Sequence, residues 1–182
     1  MTGYVLLLHG VNVGGNRKVP MADLRQVLGD LGFRDVATHL NSGNAVFGTD
    51  RTDVRALVSQ IHAALERQLG LDIQLQLRTA AQLEQVIAEN PLPEATAEPA
   101  RFVVVFLDHE LPSNALDSFD ATRFPDEVVA GGGGHLYLWY RNGIGTSKLT
   151  LASLGKEIKT AGTARNWNSV EKLRAMAAER ES

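Results

Sequence analysis

The segment Gly10-Val11-Asn12-Val13-Gly14-Gly15-Asn16-Arg17-Lys18 gathers three glycines, two side-chain amides and two cations. Glycines let backbone N–H groups come close to an anion, and Lys18 adds a positive charge. The spacing excludes the two familiar phosphate loops. A P-loop sets lysine directly after its second spaced glycine, whereas Gly15 is followed by Asn16, and G-x-G-x-x-G is absent. A tight strand-to-helix connection with positive φ explains Gly10, Gly14 and Gly15 without any ligand. It leaves Asn12 and Lys18 unexplained. In Asn41-Ser42-Gly43-Asn44, short polar groups stand beside backbone amides that could hold a carboxylate or phosphate, although hairpin turns use the same residue types. Ser42 is no hydrolase nucleophile by motif, because Leu40 stands where the nucleophile elbow requires glycine.

Near the end of the chain, Thr163-Ala164-Arg165-Asn166-Trp167-Asn168 places a cation, two amides and an indole before an expected helix N-terminus, where dipole and donors favour anions. The structural alternative makes Asn168 the N-cap and Trp167 a packed anchor, with Arg165 unaccounted for. Lys148 lies in the same basic region. Tyr137 and Trp139 share one strand face, as base-stacking aromatics would, but packing against a helix ranks ahead. The five histidines are scattered without ligand spacing and there is no cysteine. No metal site and no cofactor are therefore expected.

These groups need elements to position them. Tyr4–Val11 reads as an apolar strand, and Met21, Leu24, Val27, Leu28 and Leu31 fall on one helical face that starts at Pro20 and stops at Gly32. Val36–Leu40 and Ala45–Gly48 form a hairpin about Asn41–Asn44. A helix then runs through Val54, Leu57, Ile61, Leu65 and Leu69 to Gly70, and a strand through Ile73, Leu75 and Leu77. The order is β-α-β-β-α-β. A second unit opens with a Thr79/Gln82 capping box, followed by a strand at Phe102–Leu107 and a short helix at Ser113–Phe119. A hairpin of Glu127–Ala130 and His135–Tyr140 across four glycines comes next. A helix through Leu151, Leu154 and Ile158 and a last helix from Asn168 complete it. The expected fold class is α+β, with two ferredoxin-like (βαββαβ-type) lobes of antiparallel sheet, residues 1–79 and 80–182, the second carrying an extra C-terminal helix. The halves share no sequence similarity, so this repeat follows from element order alone.

Composition fits an ordinary folded chain: 182 residues, 44% hydrophobic and 21% charged. The net charge of −3 hides an uneven distribution. Ala80 to Glu127 holds two basic and ten acidic residues, while Tyr140 to Arg174 holds seven basic and two acidic. A basic C-terminal surface follows. The apolar start lacks a basic flank and is too short for a signal or a membrane span, so it reads as a buried strand in a cytoplasmic protein.

YVLLLHGVNVGGNRKVPMADLRQVLGDLGF, NSGNAVF, GTSKLT and TARNWNSVEKL, in this order, closely resemble the bacterial family called domain of unknown function 1697. The resemblance spans nearly the whole chain and implies an α+β fold of ferredoxin-like units, with no activity attached. Asn12, Gly14, Gly15 and Lys18, then Ser42, Gly43 and Asn44, then Lys148, then Arg165, Asn166, Trp167 and Asn168 match the family's motifs. The first motif usually looks like L-R-G-I-N-V-G-G, and His9 stands here where that arginine would.

The leading functional expectation is a module that binds a small anionic or phosphate-bearing ligand through the Gly-rich loop and the basic C-terminal motif. Asn12, Lys18, Ser42, Asn44 and Arg165 are expected to converge on one concave surface, bordered by Lys148 and Trp167. Two other classes stay open: a nucleic-acid-binding protein, not favoured by the net charge, and an enzyme using carboxylate or hydroxyl chemistry without a known motif. Neither a reaction nor an oligomeric state is legible at this level.

Overall fold

A computed structural model describes residues 1–15 and 17–181. The chain divides into two units, Met1–Gln85 with Glu171–Ser182, and Val86–Val170. The divisions fall inside α3 (Ala80–Ala88) and α5 (Trp167–Ala178).

In the first unit, β1 (Thr2–Leu8) lies between β3 (Asn44–Thr49) and β4 (Leu75–Thr79), with β2 (Arg34–His39) at the edge, and every pairing is antiparallel. Because β1 is central, six of its seven residues are buried, which explains an apolar run with no polar alternation. One face of the sheet packs Leu6, Leu8 and Phe47 against Leu24 and Leu28 of α1 (Met21–Asp30) and Leu57, Ile61 and Leu65 of α2 (Val54–Leu69). Each such side chain contributes about 1.5–3 kcal/mol by leaving water. At Gly3 the backbone of α5 comes so close that any side chain would strike the carbonyl of Ala177. The helix ends follow local chemistry. Asp53 accepts the amide of Ala56 at 3.0 Å, and Thr79 and Gln82 exchange side chain-to-amide bonds at 2.9 and 3.2 Å, the reciprocal capping box expected of them.

In the second unit, β5 (Phe102–Leu111) lies between β6 (Glu127–Tyr140) and β7 (Gly162–Asn166), again antiparallel. Val103, Val105, Leu136, Leu138 and Tyr140 pack with Leu154 and Ile158 of α4 (Leu151–Ile158) on one face. Within β6 the chain doubles back, with Gly131 and Gly133 at positive φ. The amide of Arg141 donates to the carbonyl of Asp126 at 3.0 Å, and Gly131 lies against the backbone of His135 and Leu136. Only the part from Gly133 to Trp139 pairs with β5.

Two expectations need correcting. Ser113–Phe119 is not an α-helix. Only Ala115–Ser118 turn, in 3-10 geometry, since so short a segment after Pro112 cannot build a second α turn. Gly162–Asn166 is β7 and completes the second sheet, although its five residues carry no apolar run. Consequently α5 begins at Trp167, and its cap is Asn166, whose Oδ1 accepts the amide of Ser169 at 2.9 Å, rather than Asn168. Among the described residues no helix is long and apolar enough to cross a membrane.

Candidate functional site

The Gly-rich loop joins β1 to α1, and one side chain closes it. Asn12 sits in the left-handed region at φ 57°. Its amide NH2 donates to the carbonyls of Val19 at 3.0 Å and Asn41 at 2.7 Å, and its Oδ1 accepts the amide of Val19 at 2.9 Å. The backbone amide of Asn12 donates to Arg17 at 3.2 Å. Asparagine suits this place because it tolerates positive φ and offers two donors and an acceptor on a short side chain. Asn12 thereby fixes both ends of its own loop and the Asn41 turn together. It shapes the site instead of reaching into it.

These residues enclose a pocket of about 420 Å³ lined by Asn12, Gly15, Lys18, Val19, Pro20, Met21 and Asn41. Lys18 and Gly15 are exposed there. Pro20 is the N-cap of α1 and offers no capping side chain. The helical ladder starts only with the amide of Leu24, which donates to Pro20 at 3.1 Å. The amides of Met21, Ala22 and Asp23 therefore precede the ladder, and Met21 borders the pocket. Asp23, exposed in the first turn, offsets part of the positive field. Backbone strain collects here as well. Asn12, Arg17 and Leu40 all hold positive φ, at 57°, 47° and 56°, which for non-glycine residues costs about 1–3 kcal/mol each.

In the adjoining turn, Ser42 is exposed, but Gly43 and Asn44 are buried. Gly43 holds φ 75°, and a side chain on it would collide with Val11 and Leu8. Asn44 is fully buried, and its amide donates to His39 at 3.1 Å. Gly43 and Asn44 therefore shape the turn, and neither lines the pocket. Asn41, which does, is marked in the sequence only as part of the polar turn. Its place follows from Asn12, whose amide needs a second carbonyl.

The basic C-terminal motif lies in the second unit as far as Val170. Arg165 is 7% exposed, and its guanidinium donates to the hydroxyl of Thr163 and the carbonyl of Ala164, both at 2.7 Å. Burial pushes its pKa down to about 10. Trp167 is buried and stacks on Phe102 with ring centroids 5.0 Å apart. Lys148 and Asn168 are exposed. Tyr137 is 1% exposed and donates to the carbonyl of Val86 at 2.5 Å, so it cannot stack a base. Burial, with the Glu89 charge adding to it, raises the pKa of its phenol well above the usual value. Trp139 bonds Glu98 at 3.2 Å and lies beneath Arg141. With Tyr137 buried, the two aromatics do not form an exposed stacking pair, as the preferred reading of packing expects. Among the described residues, no three His, Cys, Asp or Glu side chains cluster closely enough to hold a metal ion.

A family model described as protein of unknown function (DUF1697) matches residues 1–137. The solved structure of the conserved bacterial protein SP0830 from Streptococcus pneumoniae is similar to this chain at 25% identity, over 97% of this chain and 98% of that one, with a TM-score of 0.68. No curated protein matches.

Proposed function

We propose that this chain, which belongs to the family of proteins of unknown function DUF1697, binds a small anionic or phosphate-bearing molecule in the pocket beneath its Gly-rich loop. The observation that carries the reading is the meeting of an exposed lysine with an uncapped helix start: Lys18 and Met21 line one pocket, and the cap residue Pro20 supplies no side-chain acceptor. Helix amides left without a partner and a nearby ammonium favour the same negative charge. Gly15, which lines the pocket, and its neighbour Gly14 are the other candidate ligand contacts, since both are exposed glycines of the loop. Asn12 positions them. We further read both units as ferredoxin-like. The lateral order β2-β3-β1-β4 supports this in the first unit, and in the second the two arms of β6 followed by β5 and β7 repeat it by chain position. A cysteine-free chain fits a cytoplasmic setting.

Titration of the full chain with inorganic phosphate, followed through backbone amide resonances, tests the binding. The amides of Gly14, Gly15 and Met21 should shift together and saturate. Lys18→Met should weaken the affinity by roughly 10- to 100-fold, the worth of a charged hydrogen bond of about 1.5–3 kcal/mol. Unchanged resonances at these three residues, or equal affinity in the variant, would overturn the reading.

A further inference from the structure

The second unit contains a pocket of about 400 Å³ that the proposed anion site does not use. Half of its lining comes from two sequence motifs. GTSKLT provides Ser147, Leu149 and Thr150, and TARNW provides Ala164 and Asn166. Most of the lining is apolar: Ala100, Val103, Ile144, Leu149, Leu151 and Ala164. Ile144 and Leu151 are also 46% and 37% exposed, so apolar surface reaches the mouth.

The polar side chains of the wall nearly all have hydrogen-bond partners already. Tyr140 Oη donates to the carbonyl of Leu149 at 3.3 Å. Ser147 Oγ donates to Glu127 and accepts the amide of Leu149 at 3.0 Å. Thr150 Oγ1 accepts the amide of Ser153 at 3.1 Å, in the capping box of α4. Asn166 differs. Its Oδ1 is held by the amide of Ser169, which fixes the carboxamide orientation and leaves the NH2 end, with no partner among the described residues, on a residue that lines the pocket. Among the described residues no charged side chain lines this space. Burial, with the charge of Glu127 adding to it, raises Tyr140 to about 12, and that carboxylate, bonded to Ser147, disfavours an anion there.

We propose that this pocket binds a small neutral molecule with an apolar body, such as an aromatic ring, and one hydrogen-bond acceptor directed at the Asn166 NH2. A committed polar wall cannot solvate a second polar group, so a ligand with a single acceptor matches it, and the volume lies within the range of small-molecule sites. The inference stands on the second unit alone and does not depend on phosphate binding in the first.

Acetophenone and ethylbenzene make a matched probe pair, since they differ chiefly in one carbonyl. Titrated into the full chain, both should shift the amides of Ser147 to Leu151 and Ala164 to Ser169. Acetophenone should bind about fivefold more tightly, as one neutral hydrogen bond allows. Asn166→Asp keeps an oxygen to cap α5 but lacks the NH2, so the preference should vanish while the thermal transition is retained. Ala164→Leu, filling the floor, should abolish both titrations. The proposal fails if neither probe shifts these amides up to its solubility limit, or if the two bind the wild-type protein equally. It also fails if the shifts follow protein concentration rather than probe, which would make a second copy the occupant. The wild-type comparison decides the matter even if a variant does not fold.

Discussion

The side-chain amide of Asn12 donates to the main-chain carbonyl of Asn41 across 2.7 Å, tying together two loops 29 residues apart in the chain. With its two bonds to Val19, this makes Asn12 the residue on which the pocket's shape depends. The geometry of the loop and the folding of the first unit are therefore linked through one side chain.

Asn12→Ala should lower stability by about 2–3 kcal/mol, from three lost hydrogen bonds at roughly 0.5–1.5 kcal/mol each, partly offset by water, and the cost of holding alanine at positive φ. Asn12→Gly removes the same bonds but not the conformational freedom, and should be about 1 kcal/mol milder. Urea denaturation of both variants measures the difference. Equal losses would show that the backbone geometry at position 12 carries no strain.

Two glycines of positive φ should respond unequally to alanine. At Gly14, φ is 60° and nothing lies within 4 Å of an added Cβ, so Gly14→Ala should cost about 1 kcal/mol. At Gly43 the new atom would meet Val11 and Leu8 in the core, and the cost should exceed about 3 kcal/mol or prevent soluble expression. Comparing the two midpoints separates strain from collision.

His39 gives the first unit a pH dependence. Burial first, and the Lys172 charge second, hold its pKa below the ordinary 6.5. The unfolded chain therefore binds the proton more readily than the folded one. The contribution is fully present above pH 6.5 and is lost as pH falls from there through the lowered folded value. His39→Gln should flatten the melting temperature across that window, and Lys172→Ala should narrow it. A wild-type melting temperature that rises between pH 7 and 5.5, where carboxylates contribute little, would contradict the sign.

Arg165→Ala should lower the stability by about 1–3 kcal/mol, because the hydroxyl of Thr163 and the carbonyl of Ala164 lose a charged donor in a buried setting. Phosphate affinity at the Lys18 pocket should be unchanged in the folded fraction. Calorimetry for the transition and amide shifts for the affinity, taken on the same sample, check both halves. A drop in affinity without a drop in stability would return Arg165 to the ligand site.

Local chemistry by itself determined much of this protein. Spacing of apolar residues marked α1, α2 and α4, and turn and cap residues marked Asn41–Asn44 and the Thr79/Gln82 box, because these depend on groups within a few residues of each other. The same locality explains what stayed hidden. β7 has little apolar signal, since only Thr163 and Arg165 among its five residues are buried, and it is a strand because β5 offers an unpaired edge. The partner of Asn12 lies 29 residues away. The sequence shows an asparagine in a glycine loop, but only the fold brings a carbonyl to it. Arg165 was read as a ligand contact because an arginine beside a helix start resembles one. Its burial, which ties the guanidinium to its own strand, is a property of the packed sheet and has no trace in the order of the residues.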